Sequence, residues 1–370
     1  MANLKIAKIE VYQRYLPYSG GVYYLSGGRE ITRFDATFVR VTTNNGIEGW
    51  GESTPFDQYI AVHGLGIRAA IAEIAPKLIG LDPRNVDRIN DAMDTALLGN
   101  ESAKSAIDIA CWDVFGKSVG LPVCDLLGGR TDTRLAVLES IPVADEEGTR
   151  KLVAKSRAAG FTGFSVKIGS DPVANAKQVK AALEDKKPGE HFLIDANGGM
   201  TVESAVRMLK ILPDDLDFVL EAPCATYRES ISLRRRTNVP IIFDELASNE
   251  TTIAQFIADD AIDGIGLKVS KTGGLTRGRR VRDICLAAGY TMSVQDTSGS
   301  DIAFAAIVHL GQTIPARNLR CILECRAMCD GKTADGPFDV HNGHLTAPTL
   351  PGLGVTPRME VLGEPVATYY

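Results

Sequence analysis

The chain of 370 residues is poor in several of the residues that would point to common functions. It has 5 histidines and 7 cysteines, an odd number of cysteines that suits a reducing compartment better than a disulfide framework. Cys321, Cys325 and Cys329 recur every four residues with no histidine near them, so they read as small buried side chains rather than a metal or redox site. No apolar run reaches the roughly 18 residues a membrane helix needs. Positive charge is not in excess either: the formal net charge is −6, which disfavours nucleic acid or an anionic membrane as partner. The opening MANLKIAKIEVY lacks the basic-then-apolar layout of a secretion signal and reads as a strand, so a cytoplasmic setting is expected. Aromatic residues make up 6% of the chain, with two tryptophans, Trp50 and Trp112. No glycine-rich GxGxxG turn follows an early strand, and there is no low-complexity segment.

What is present divides into two styles. Over residues 1–125, LKIAKIEVYQRYL and DATFVRVTTNNGIEGWGE alternate apolar and polar residues around the hairpin signal Asn44-Asn45-Gly46. Helical periodicity follows over 63–79, 87–98 and 103–119, where Gly120 and Pro122 stop it. Strands followed by helices predict an α+β capping domain. From residue 126 to 345, short β-rich runs alternate with helical ones. The predicted strands cover 136–143, 161–168, 191–195, 217–221, 240–245, 264–269, 291–296 and 319–324, with helices over 147–159, 172–183, 202–212, 253–259, 275–288 and 302–310. Eight strands at that spacing predict an α/β barrel of the (β/α)8 type. Residues 346–370 are expected to pack back on the capping domain.

Barrel active sites form at the carboxyl ends of the strands. Strands two to eight end, in order, near Lys167, Asp195, Glu221, Asp244-Glu245, Lys268, Asp296 and Glu324. A single strand-end carboxylate is usually a helix cap or a solvated loop residue. Asp195, Glu221 and Asp244, however, lie one βα unit apart on neighbouring strands, and three convergent carboxylates repel unless a cation sits among them. All-oxygen ligands select Mg²⁺, with Mn²⁺ an acceptable substitute. Lys167 and Lys268 flank that point from opposite sides of the barrel mouth. Burial beside a divalent cation is expected to lower an ammonium's pKa and make the amine a base. Lys271, in the loop KTGG, reads as a surface or supporting charge. A cation holding a substrate carboxylate stabilises the enediolate formed when the α-proton leaves, so a lysine on each face allows epimerisation, or elimination of a β-leaving group.

These residues resemble the enolase superfamily, in its muconate-lactonizing-enzyme subgroup. The likeness runs through GIEGWGES (46–53), SAIDIACWDVFGKSVGLPVCDLLGG (105–129), SVKIG (165–169), LIDANGG (193–199), LEAPC (220–224), FDE (243–245), GLKVSKTGG (266–274) and LPGLGV (350–355), and so through essentially the whole chain. The resemblance implies a capping domain over a modified barrel, essential Mg²⁺ on Asp195, Glu221 and Asp244, and lysine bases at Lys167 and Lys268. The first lysine of the subgroup's Lys-x-Lys pair is Ser165 here, which leaves Lys167 to be tuned by the metal and by burial. Asp296 and Glu324 fall on charged positions whose roles vary in the family, and Ser165, Thr297 and Tyr59 join them as candidate substrate contacts. In the cap loops, Tyr23 and Tyr24 are further contact candidates.

Within the superfamily, LECR (323–326) stands where dipeptide epimerases carry an Asp-x-Asp pair. The nearest resemblance is to members acting on hydroxyproline and proline betaines. DTSGSD (296–301) and ECRAM (324–328) contain no aromatic residue to cage a quaternary ammonium, which favours a free secondary amine. The resemblance therefore implies dehydration of cis-3-hydroxy-L-proline, with competing 2-epimerisation. Epimerisation of a betaine or another amino-acid derivative, and cycloisomerisation, stand as alternatives. A small amino-acid-like carboxylate is the expected partner, and a homo-oligomer the expected assembly.

Overall fold

The structure, a computed structural model, describes residues 3–25, 29–56 and 62–370; Tyr59 and the side chain of Tyr24 lie outside the described residues. The chain begins with the long strand β1 (Ile6–Pro17), the short hairpin β2 (Tyr23–Leu25) and β3 (Arg29–Ile31), then β4 (Arg33–Thr43) and β5 (Glu48–Ser53). β1 pairs antiparallel with β4, with Val11 opposite Val39 and Ile9 opposite Val41. The β4–β5 turn is the one the sequence announces: Gly46 has φ +85° and its N–H donates to the Thr43 carbonyl at 3.0 Å. The helices α1 (Gly64–Ile74), α2 (Val86–Ala96), α3 (Glu101–Val119) and the short α4 (Val123–Leu126) follow.

The motif GWGE places two glycines where α3 crosses β5. A Cβ on Gly49 would lie 2.2 Å from the Ala110 carbonyl oxygen, and one on Gly51 would lie 2.0 Å from that of Ala106. Only glycine lets the strand and helix backbones approach so closely. Helix α3 is buried on nearly every face, being packed on the sheet on one side and on the barrel on the other. That enclosure explains why its sequence carries almost no amphipathic stripe.

The second part alternates β6 (Leu135–Ile141), α5 (Glu146–Ala158), β7 (Gly163–Lys167), α6 (Pro172–Leu183), β8 (His191–Asp195), α7 (Val202–Ile211), β9 (Val219–Glu221), α8 (Tyr227–Arg234), β10 (Ile241–Phe243), α9 (Glu250–Ala258), β11 (Gly264–Lys268), α10 (Val269–Thr272), α11 (Leu275–Ala288), β12 (Thr291–Gln295), α12 (Asp301–Gly311) and β13 (Leu319–Leu323). Among the described residues, β6 to β13 pair in sequence, all parallel, and β13 pairs back with β6 through Ile322–Val137 and Leu323–Leu138. The result is the closed eight-stranded barrel the spacing predicts. Helix α8, absent from the helices read in the sequence, starts at a capping box between Thr226 and Glu229. The strands are shorter than predicted, so Asp244, Asp296 and Glu324 sit just beyond their strand ends. After β13 a 3₁₀ turn, Cys325–Met328, takes the place of another long helix, and the strand Ala367–Tyr369 at the carboxyl end pairs antiparallel with β1. No helix among the described residues is long and apolar enough to cross a membrane. All seven cysteines are buried and free.

Candidate active site

Parallel pairing brings the strand-end residues together in register: Lys167 stands opposite Asp195, Asp195 opposite Glu221, and Lys268 opposite Gln295. β7 and β11 are separated by three strands on either side of the closed barrel, so Lys167 and Lys268 approach from opposite walls. Both line one pocket at the carboxyl end of the barrel. Ser165 lines it too, because side chains two apart on a strand share a face. Asp296 and Thr297 complete the barrel side, with Ser140 and Gln295.

Asp195, Glu221 and Asp244 are each 1% exposed. The Lys167 ammonium is in an ion pair with Asp195 Oδ2, and Asn197 donates to both oxygens of the same carboxylate, from its backbone N–H at 2.8 Å and its side chain at 3.0 Å. Lys268 Nζ lies 2.5 Å from Asp244 Oδ2, and Lys271 Nζ 2.9 Å from Asp244 Oδ1. Gln295 Nε2 donates to Glu221 Oε1 at 3.1 Å. Lys271 is thus tied to Asp244 from within the site.

The electrostatics follow from this packing. Burial, then the neighbouring charges of Asp195 and Asp244, push the Glu221 carboxyl up to about 8. Burial alone would raise Asp244, but Lys268 and Lys271 hold it well below the usual range. For Lys167, burial acts downward and is outweighed by Asp195, Tyr23 and Glu221, so its pKa lies above that of a free lysine; Lys268 rises likewise beside Asp244 and Glu245. The expected depression of the lysine pKa values is therefore not met in this arrangement, because each ammonium is paired with a buried carboxylate.

Among the described residues, no three His, Cys, Asp or Glu side chains are gathered closely enough to hold a metal ion. The donor set nevertheless fits a hard divalent cation. The three carboxylates offer oxygen only, they repel one another enough to raise Glu221, and the backbone leaves them room. A Cβ on Gly266 would lie 3.0 Å from Glu221 Oε1 and 3.3 Å from the Asp244 Cβ, so a bare glycine between them keeps the space open.

The remaining predicted contacts separate. Asp296 is buried and accepts from the Ser270 N–H at 3.1 Å, the Thr297 N–H at 2.7 Å and the Ser270 hydroxyl; burial raises its pKa against those bonds. Thr297 faces the pocket, but its hydroxyl donates to the Thr54 carbonyl of the cap at 2.8 Å. Glu324 is turned to Arg326, which grips it with two bonds of 2.7 and 2.6 Å, while the guanidinium lies over Phe304. Glu324 does not line the pocket, whereas the expected Tyr23 does, together with Phe56, Asn197 and Gln295, which were not among the expected contacts. Phe56 and Tyr23 reach in from the cap, edge to face with centroids 5.5 Å apart, and the Tyr23 hydroxyl lies 3.4 Å from Ser140 Oγ. Phe56 had a signal, standing three residues after GWGES on the segment that leads from β5 toward the barrel. Asn197 and Gln295 had none beyond their adjacency to strand ends.

Comparison with known proteins agrees with this geometry. Residues 30–128 match the N-terminal domain of mandelate racemase and muconate lactonizing enzyme, and residues 148–361 match the enolase C-terminal domain-like family. The cis-3-hydroxy-L-proline dehydratase of Roseibium aggregatum is 40% identical over 99% of this chain and 100% of its own. A solved structure described as a mandelate racemase/muconate lactonizing enzyme from Aspergillus oryzae is 66% identical, with TM-score 0.95 over 99% of this chain and 100% of that one. Another, from Roseovarius nubinhibens and complexed with magnesium, is 49% identical, with TM-score 0.97 over the same shares. The chain belongs to the enolase superfamily, as an enzyme with the capping domain and barrel of its mandelate racemase/muconate lactonizing branch.

Proposed function

We propose that the protein dehydrates cis-3-hydroxy-L-proline to Δ1-pyrroline-2-carboxylate with Mg²⁺ held by Asp195, Glu221 and Asp244. The observation that carries this reading is the pair of lysine ammoniums on opposite barrel walls, both facing one small pocket. The full-length likeness to a cis-3-hydroxy-L-proline dehydratase supports the choice of substrate. When bound, the cation would supply positive charge to the substrate carboxylate as its α-carbon becomes an enediolate.

The chain's own residues account for the rest. With Asp195 and Asp244 committed to ligation, Lys167 and Lys268 lose the ion pairs that hold them protonated, and one can become the base. It takes the proton from Cα; the C3–O bond then breaks, and the other lysine, as ammonium, gives its proton to the departing hydroxyl. The substrate loses one water in total, and the resulting enamine tautomerises to the cyclic imine. Asp296 is the proposed partner of the ring amine, since it lines the pocket and its Oδ2 accepts a single backbone N–H, from Ser270. Ser165 and Thr297 would flank the ring.

A second reading rests on Phe56 and Tyr23. The barrel side is free of aromatics as expected, but the cap supplies an aromatic wall that an alkylated ammonium could use. It favours 2-epimerisation of a proline betaine or a related amino-acid derivative by the same lysines; cycloisomerisation has no comparable feature. The test is a panel of hydroxyprolines, prolines, betaines, dipeptides and a muconate, incubated in D₂O with Mg²⁺, with Mn²⁺ and with chelator. Loss of water from cis-3-hydroxy-L-proline alone supports dehydration. Exchange of the α-proton confined to betaines overturns the free-amine reading, turnover confined to acyclic acids overturns the proline reading, and full activity under chelation overturns the metal.

A further inference from the structure

The cap and the barrel meet at a buried carboxylate that the proton-transfer chemistry does not use. Glu52, at the carboxyl end of β5, is 0% exposed. Its Oε1 accepts from the Ser300 N–H at 2.7 Å and the Thr54 hydroxyl at 2.7 Å. Its Oε2 accepts from the Ala303 N–H at 3.0 Å and the Ser300 hydroxyl at 2.8 Å. Two of these donors are backbone amides at the start of α12, which a carboxylate satisfies together with the helix dipole. Two residues along, the Thr54 carbonyl accepts from Thr297 Oγ1 at 2.8 Å and Ser298 Oγ at 3.0 Å, and Thr54 and Ser298 form an isolated antiparallel bridge. The segment between Asp296 and α12 is therefore stitched to the end of β5 at both Glu52 and Thr54. That segment carries Asp296 and Thr297 into the pocket, and the chain after β5 runs on to Phe56 on the facing wall.

We infer that Glu52 is a positioning residue: it fixes the distance between the cap wall at Phe56 and the barrel wall at Asp296 and Thr297, and so sets the pocket's fit to substrate without touching it. The donor arrangement makes the claim specific to a carboxylate. Each oxygen faces one backbone N–H, which cannot reverse its role. A glutamine at 52 must turn its NH₂ toward one of those two amides, whichever way the amide is flipped, and leave it unpaired in a closed interior. The inference rests on this pocket being the substrate site, not on which acid occupies it.

The experiment compares the full-length protein with Glu52→Gln, Ser300→Ala and Ser298→Ala. Three quantities are read: KM and kcat for whichever acid the parent turns over, the Mg²⁺ concentration for half activation, and amide hydrogen exchange over residues 296–303. Glu52→Gln is expected to raise KM about tenfold or more. Its kcat should stay within about threefold and its Mg²⁺ requirement unchanged, since no carboxylate of the triad moves. Exchange should quicken at 296–303 while α3 stays protected. The serine variants, which lose the Ser298 bond to the Thr54 carbonyl and the Ser300 bonds to Glu52 and Thr333, should shift KM in the same direction by less. If Glu52→Gln does not fold, the serine variants carry the test. Unchanged KM with unchanged protection overturns the inference, as does a loss shared equally by kcat and Mg²⁺ activation. If the parent turns over no acid in the panel, the substrate reading fails on its own, and exchange at 296–303 still decides the role of Glu52.

Discussion

Replacing His309 by asparagine should change how stability depends on pH, by an amount that follows from its two bonds. His309 lies in α12 and is 0% exposed. Its Nδ1 accepts from the Cys124 N–H at 3.2 Å, and its Nε2 lies 3.0 Å from the Leu353 carbonyl, so one ring joins α4, α12 and the carboxyl-terminal segment. That pattern demands the neutral tautomer with the proton on Nε2. Burial, the largest influence, lowers its pKa from 6.5 to about 4. Between those values the unfolded chain takes a proton that the folded chain refuses. Stability from this group is therefore complete above about pH 6.5 and is lost as pH falls toward 4. At about 1.4 kcal/mol per pH unit over that interval, the loss reaches ~3 kcal/mol. The shorter asparagine amide can accept from the Cys124 N–H but leaves the Leu353 carbonyl unpaired, which costs ~1–3 kcal/mol near neutrality. In urea unfolding followed from about pH 4 to 7.5, His309→Asn should start less stable than the parent and meet or overtake it at the acid end. A parent-minus-variant difference that does not change with pH would refute the reasoning.

Two further predictions concern the carboxylate cluster at the barrel mouth. Glu221→Gln removes one of three mutually repelling carboxylates while its amide oxygen can keep the Gln295 bond, so in chelator the variant should be more stable than the parent. It should also lose the parent's stabilisation by added Mg²⁺, read as an unchanged thermal midpoint. Ala222 follows Glu221 with φ +41°, a conformation that strains an L-residue by ~1 kcal/mol or more, so Ala222→Gly should be neutral or stabilising there. Destabilisation by the ~1 kcal/mol usual for glycine in regular structure would refute the strain.

The architecture was largely legible because its signals are local. The 2-residue alternation of β1 and β4, the Asn-Gly turn and the βα spacing each report one element, and strand direction then follows from the crossovers. The strand-end ring was legible for the same reason: barrel topology turns a position in sequence into a position in space. Helix α8 escaped because its apolar residues are few, and its start is written in a capping box rather than a stripe. The partners of each charge escaped as well. Nothing local says that Glu324 will turn to Arg326, that Lys271 will share Asp244 with Lys268, or that Phe56 will close the pocket from the cap. Those depend on rotamers, as for Glu324 and Arg326, or on contacts between separate elements, which for Glu52 and Ser300 lie 248 positions apart. The ionic state of the lysines escaped for a physical reason too, since each is paired with a buried carboxylate that a neighbouring strand contributes.

The central claim is that Lys167 and Lys268 address opposite faces of one α-carbon. Proline tests it most directly, because without the 3-hydroxyl it can exchange its α-proton but cannot lose water. L- and D-proline would be incubated with Mg²⁺ in D₂O with the parent, Lys167→Ala and Lys268→Ala, and deuterium at Cα followed by NMR. The account predicts that the parent exchanges both enantiomers, that each variant loses exchange of one by ~10²-fold or more while keeping the other, and that the two variants lose opposite ones. Variants that lose or keep both enantiomers alike would contradict it.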